Sequence, residues 1–247
     1  METEKYYNKN FYTAEPTEIL LESPRAVVPI MMSLVAPKSV VDVGCGSGAW
    51  LHVFREQGIE RILGIEGGHV DPSWLLVPKE CVCTMDLSRP FRLQQNFDLA
   101  VCLEVAEHLP KKCAEGLVES LVLIAPIVLF SAAVPLQGGV HHINEQWPEY
   151  WETLFLRHHY RQLDVLRKRI WKNPSIKDYY RQNAFLYVRE ELIAGNAEFQ
   201  EALGDSNDLM LVHRSILRAQ LGLRSILKNL PKSVWEFAGR RLQRLRS

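Results

Sequence analysis

Seven short runs of apolar, largely β-branched residues recur along the chain, most of them separated by stretches with helical spacing. "SVVDVG" (39–44), "RILGIE" (61–66), "CVCTM" (81–85), "FDLAVCL" (97–103) and "PIVLFSAAV" (126–134) read as five buried strands. The connectors "GAWLHVFREQG", "VDPSWLLVP" and "KKCAEGLVESLVLIA" read as helical. Strands that are apolar throughout must be covered on both faces, which selects a parallel sheet between two helical layers. "YRQLDVL" (160–166) and "NAFLYVR" (183–189) add two more strands, with "NEQWPEYWETLFLRH" as a helix before the first of them. The expected fold is α/β: a doubly wound, mostly parallel seven-stranded sheet with helices on both faces and a helical C-terminal extension. Residues 1–36 form a helical lead-in that Pro24 and Pro29 should interrupt, 37–190 the α/β domain, and 191–247 the extension.

The net charge of zero hides an asymmetry. Residues 213–247 carry nine Lys/Arg against Glu236 alone, a net +8, so the remainder carries −8. The acidic body gives no electrostatic reason to bind nucleic acid, while the basic segment suits an anionic surface. Five cysteines without a CxxC pair read as small hydrophobes in a reducing compartment. The opening "METEKYYNKN" has no apolar signal segment, and no apolar run reaches membrane-spanning length. These features predict a soluble cytoplasmic protein.

"VVDVGCGSGAWL" (40–51) carries the first functional signal. Gly44, Gly46 and Gly48 fall where the first strand meets a helix, at the sheet edge where open α/β folds bind ligands. Missing side chains allow a ligand to reach the backbone, and the helix N-terminus offers N–H donors. Glu66 ends the second strand 22 residues after Gly44, near the spacing at which a carboxylate reaches ribose hydroxyls. Asp86 and Glu104 end the third and fourth strands, so three successive strand ends are acidic. "GCGSGA" also satisfies G-x-G-x-x-A, which keeps a nicotinamide-dependent oxidoreductase in play. Asp42 argues against it, since a carboxylate there repels a pyrophosphate but suits a cationic amino-acid moiety. A nucleoside with a zwitterionic tail fits better: S-adenosylmethionine.

Over residues 39–135 the sequence resembles the class I S-adenosylmethionine-dependent methyltransferases, with a Rossmann-like fold. "VVDVGCGSGAWL", "LGIEG", "CTMDLSRPF" and "FDLAVCLEVAEHLP" are similar to their first four motifs, in order. The resemblance implies that Asp42, Gly44, Gly46 and Gly48 surround the methionine end and that Glu66 holds the ribose. It implies that Asp86 takes the adenine amine, Leu87 contacts the adenine, and Glu104 lies at the far wall. S-adenosylhomocysteine would be the product. "LEVAEHLP" and "GGVHHINEQWPEYW" are further similar to type 11/12-like bacterial members found among polysaccharide and natural-product genes.

On the acceptor side, Glu104, Glu107 and His108 stand at i, i+3 and i+4, one face of a helical turn. After the fifth strand come Gln137, His141, His142, Asn144, Glu145 and Trp147, candidates to line the acceptor. Three readings compete. His141 or His142, with His108 behind, is a general base for a hydroxyl. Alternatively, Glu104, Glu107, His108 and His141 (or His142) hold a divalent metal that acidifies that hydroxyl. In the third, Glu107 and His108 only brace the turn. Trp147, Tyr150, Trp151 and Phe155 have helical spacing and read mainly as core, and Gln182 and Asn183 as either acceptor contacts or strand-entry residues.

The expected activity is O-methylation of a small-molecule or glycan hydroxyl, a non-catalytic cofactor-binding scaffold being the reading from another class. No D/N-P-P-Y/W tetrad follows the fourth strand, which argues against DNA, and RNA has only the basic segment in its favour. The apolar stripe of residues 209–246 should pack on the acidic body or on a second subunit, with a peripheral membrane contact as the alternative.

Overall fold

The computed structural model describes residues 15–68 and 70–204, together with 212, 213, 216 and 217. The chain divides into two compact units, Met1–Leu211 and Val212–Ser247. Residues 1–14 of the lead-in and nearly all of the amphipathic segment 209–246 lie outside the described residues.

Along the first unit run α1 (Thr17–Val35), β1 (Ser39–Val43), α2 (Ala49–Glu56), β2 (Arg61–Glu66), β3 (Val82–Thr84), β4 (Leu99–Leu103) and α3 (Ala114–Ile124). They continue as β5 (Ile127–Ser131), α4 (Pro148–Leu156), β6 (Tyr160–Leu163), α5 (Arg167–Ile170), α6 (Asp178–Asn183), β7 (Phe185–Arg189), α7 (Glu190–Ile193) and α8 (Ala197–Gly204). All seven strands read from the sequence are present, in one sheet ordered β3-β2-β1-β4-β5-β7-β6. The first five are mutually parallel, and β7 runs antiparallel between β5 and β6.

Strand periodicity divides the core in two. Val40, Leu99, Val101, Leu129 and Leu186 face one layer, where they meet Val28 and Met31 of α1 and Leu51 and Phe54 of α2. Their neighbours Val41, Ala100, Cys102, Val128, Phe130 and Tyr187 face the other, with Leu117 and Leu121 of α3 and Trp151 and Phe155 of α4. Side chains alternate between faces along a strand, so a run with no polar residue must have both faces covered. Of the aromatic set, Trp151 and Phe155 are indeed core, Phe155 stacking on Tyr187 with centroids 3.9 Å apart.

Two local expectations are corrected. Pro24 and Pro29 do not interrupt the lead-in; α1 continues through both. Each proline lacks the N–H that the carbonyl four residues earlier would use, at a cost of about 3 kcal/mol. The buried face of Leu21, Val27, Val28, Met31 and Leu34 offsets that loss. The segment 70–78 is not a helix; only a 3₁₀ turn, Pro72–Trp74, forms there. It serves as a strap over the glycine turn, with Leu76 N–H donating to the Ser47 carbonyl at 2.8 Å. Among the described residues no helix is long and apolar enough to cross a membrane, and all five cysteines are free thiols.

Phe155 is fully buried and packs on Phe130 as well as on Tyr187. Phe155→Ala should destabilise the protein by about 3–5 kcal/mol in denaturant unfolding. A loss below about 1 kcal/mol contradicts the assignment of this cluster to the core.

Candidate active site

Parallel pairing sets Asp42 of β1 beside Gly64 of β2 and Val101 of β4, so the three strands end together. The glycine turn that follows β1 folds with φ of +80° at Gly44, +54° at Gly46 and +79° at Gly48. Two of these positions also lack space. A Cβ on Gly44 would lie 2.4 Å from Val105 Cγ2, and one on Gly48 would lie 2.8 Å from Val77 Cγ2. Val105 follows β4 and Val77 belongs to the strap, so both neighbours reach the turn from other parts of the fold.

Around this turn stand the carboxyls. Glu66 Oε2 accepts from Gly46 N–H at 2.7 Å, and its Oε1 accepts from Gly67 N–H at 2.8 Å. Asp42 is buried, and its Oδ2 meets no donor among the described residues. Burial pushes the Asp42 carboxyl well above its ordinary range, and the nearby Glu66 adds repulsion. A cationic group arriving there would satisfy the orphan oxygen and favour the ionised form. Asp86 is exposed just beyond β3, its Oδ1 accepting from Ser88 N–H and Oγ–H, with Arg89 beside its Oδ2. Leu87 is largely buried in the layer that holds α3.

At the end of β4 the chain takes an unusual conformation. Glu104 has φ +55°, and its N–H donates to the carbonyl and hydroxyl of Ser131. The turn after it is a 3₁₀ turn, Ala106–His108. Glu104 therefore precedes this turn instead of opening a helix, which corrects the expected common face of Glu104, Glu107 and His108. The Glu104 carboxylate receives Gln137 Nε2–H at 3.1 Å and Asn183 Nδ2–H at 3.2 Å, and Asn183 also donates to Gln137 Oε1 at 2.9 Å. Gln182 and Asn183 are thus buried members of a polar network on Glu104. Sequence reasoning gave no role to their support: Arg167 is 2 % exposed, paired with Asp164, and donates to the Gln182 carbonyl at 3.1 Å. A lone buried-arginine position has no sequence signature. Trp50 was likewise missed, although it directly follows the glycine turn; it packs edge-on against Tyr180 at 5.2 Å.

Glu107 is wholly buried, its carboxyl beside that of Glu104 and within reach of the backbone N–H of Ala133. Burial and the adjacent Glu104 hold its carboxyl well above the usual range. His108 rests its Nδ1 3.3 Å from the His141 carbonyl and its ring 4.9 Å from the His142 ring. Burial, reinforced by His142, lowers its pKa to about 4. The ligand-capable atoms of Glu107, His108 and His142 all lie within 4.8 Å of one another. Of the two histidine alternatives His142 stands in this group, and Glu104 is engaged by the amides of Gln137 and Asn183.

The loop 136–147 is pinned from inside. Glu145 accepts from Leu136 N–H at 2.8 Å and Gly138 N–H at 2.7 Å, and its Oε1 lies 3.1 Å from His142 Nδ1. Ile143 N–H and Asn144 N–H both donate to the Glu107 carbonyl, and the Asn144 side chain donates to the Ala106 carbonyl. Asn144 and Glu145, expected to touch the acceptor, are instead committed to bracing this loop. His141 adopts φ +57°, and Trp147 stands partly exposed ahead of α4. A Cβ on Gly139 would lie 2.1 Å from His142 Nε2, so the imidazole lies directly over that glycine.

The glycine turn, Asp42 and Glu66 thus meet at the carboxyl edge of the sheet, where open α/β folds bind their ligands. A family profile described as a methyltransferase domain (Methyltransf_23) matches residues 20–167. The chain belongs to that family and is an S-adenosylmethionine-dependent methyltransferase. The match sets aside the nicotinamide-dependent and non-catalytic readings.

Among solved structures, Streptomyces venezuelae DesVI is similar at a TM-score of 0.53 and 15 % identity, covering 68 % of this chain and 91 % of that one. SAM-bound CalS10 from Micromonospora echinaspora, an amino pentose methyltransferase, gives 0.49 and 15 % over 67 % and 89 %. Magnesium protoporphyrin IX methyltransferase from Synechocystis PCC 6803 gives 0.48 and 17 % over 67 % and 83 %. At these identities the likeness is one of fold. No curated protein matches the sequence.

Gly44→Ala should strain the left-handed turn and force Val105 outward. The backbone term alone is about 1–2 kcal/mol, and urea unfolding should register at least that loss. A variant as stable as the parent contradicts the cradle geometry.

Proposed function

We propose that the enzyme O-methylates a hydroxyl of a small-molecule or sugar acceptor, with His142 as general base. The His142–Glu145 pair carries this reading. A carboxylate on Nδ1 fixes the imidazole so that Nε2 bears the lone pair, and it steadies the cation formed on proton transfer. S-adenosylmethionine supplies an electrophilic methyl on its sulfonium. Asp42 takes the ammonium end, Glu66 the ribose hydroxyls, and the glycine turn admits the cofactor against the backbone. Asp86 receives the adenine amine, with Leu87 behind it, after rotating away from Ser88. Gln137, held by Glu104 and Asn183, and Trp147 line the acceptor side. His142 Nε2 removes the hydroxyl proton as the oxygen–carbon bond forms and the carbon–sulfur bond breaks. The electron pair stays on sulfur, and a methyl ether and S-adenosylhomocysteine leave. The free thiols agree with work in the cytoplasm.

A second reading rests on a separate observation, the cluster of Glu107, His108 and His142 with ligand-capable atoms within 4.8 Å of one another. These residues would hold a divalent cation, and the Nδ1 partners of both histidines are of the kind that orient metal-ligating imidazoles. The cation would acidify the acceptor hydroxyl.

Glu66→Ala should weaken S-adenosylmethionine binding by about 1–3 kcal/mol, as for hydrogen bonds to a charged group. Unchanged affinity by calorimetry removes Glu66 from the cofactor site.

His142→Ala should lower turnover about 10²–10⁴-fold with cofactor affinity kept. Turnover at the parental rate would falsify the base. EDTA separates the two readings: activity that survives chelation supports the base, and activity lost and restored by Mg²⁺ or Mn²⁺ transfers the role to the cluster.

A further inference from the structure

The large hydrophobic side chains that stand exposed are not evenly spread. Leu136 (74 % exposed), Val140 (51 %), Ile143 (51 %) and Trp147 (37 %) fall within twelve residues, on the loop over the acceptor side. Single exposed apolar residues are ordinary, whereas a cluster marks a surface with an apolar partner. Nor is this a loop that failed to fold. Glu145 ties Leu136 and Gly138 to His142, and the Glu107 carbonyl ties Ile143 and Asn144 to the 3₁₀ turn. Leu136 holds φ +71°, a conformation for which glycine is the default residue. The chain accepts that strain and still presents a leucine to the outside.

Beside this crest the surface turns aromatic and then basic. Tyr150, one turn beyond Trp147, lies under the Lys111 ammonium, 5.1 Å from nitrogen to ring centroid. Lys112 is exposed next to it, and among the described residues neither lysine joins an ion pair. The carboxylates nearby are accounted for differently. Glu115 pairs with Arg157 at 2.9 Å, Glu145 is turned into its own loop, and Glu149 sits in the first turn of α4, where the helix end favours it.

We infer that the crest formed by Leu136, Val140, Ile143 and Trp147 docks the acceptor side of the enzyme onto an anionic lipid bilayer. The order of chemistries is that of an interfacial protein. Apolar tips enter the acyl boundary, Trp and Tyr sit at headgroup depth, and lysines meet anionic lipid. The docking deepens the proposed function: an acceptor carried by a lipid would meet His142 from the membrane side. It does not depend on whether His142 acts as base or as ligand.

The test uses the full chain, sedimented with phosphatidylcholine vesicles that do or do not contain phosphatidylserine. The parent should pellet with the anionic vesicles. Leu136→Gly combined with Ile143→Ser removes two apolar tips, and glycine relieves the strained φ, so the loop is kept. This variant should lower the partition constant at least about tenfold, and Lys111→Glu with Lys112→Glu should lower it on anionic vesicles in particular. Calorimetry with S-adenosylmethionine should give the parental affinity for both variants, which separates lost docking from a lost cofactor site. A parent that stays in solution overturns the inference. So does a crest variant that pellets like the parent, since attachment then lies in the basic segment. A dimer that only the crest variant dissociates, with no effect of lipid, assigns the surface to a second copy and overturns it equally.

Discussion

Parallel pairing of β1 with β2 and β4 is the constraint on which the site depends. Parallel strands bring all their carboxyl ends to one edge, and the observed register ends β1, β2 and β4 side by side. Glycine turn, Glu66 and Glu104 are distant in sequence and meet only because of it. The same register brings Val105 against Gly44, so the turn is held from the far strand as well as by its own backbone. A shift of one residue along β4 would exchange the two cores and break this contact together.

The site carries a thermodynamic load that the fold must bear. Asp42 Oδ2 is buried without a donor among the described residues, Glu107 is a buried carboxyl beside Glu104, and Glu104 sits in a left-handed backbone. Each feature opposes folding, and none is explained by packing. They cluster at the carboxyl ends of β1 and β4, and departures of this kind from locally favourable choices are typical of functional sites. The two packed cores on either face of the sheet supply the stability against which these departures are set.

Much of the fold was legible because burial on both faces leaves β1, β4 and β5 as largely apolar runs, and all seven runs read from the sequence are strands. The glycine turn and Glu66 were legible because their spacing is set by one β-turn-α unit. Less was readable where contacts are long-range. The continuity of α1 through Pro24 and Pro29 depends on a core made with distant elements, and the strap over Gly48 replaces a helix that local pattern suggested. At the site, sequence spacing grouped Glu104, Glu107 and His108 as though on a helix. The 3₁₀ turn and the positive φ of Glu104 rearranged them, and no residue type announces that. His141 and His142 are adjacent in sequence, and the tie of Glu145 to Nδ1 of His142 and its ring contact with His108 distinguish them. Asn144 read as an open polar residue because a side-chain amide looks the same whether it faces a ligand or a carbonyl.

The antiparallel insertion of β7 between β5 and β6 has a consequence for descent. Because β7 runs backward, the chain leaves the sheet at the edge opposite the carboxyl ends, and α7 begins there at Glu190. The helices Glu190–Ile193 and Ala197–Gly204 therefore follow from the pole remote from the ends of β1 and β4. An insertion at that pole would leave the glycine turn and the carboxyls around it in place, since those sit at the other end of the strands.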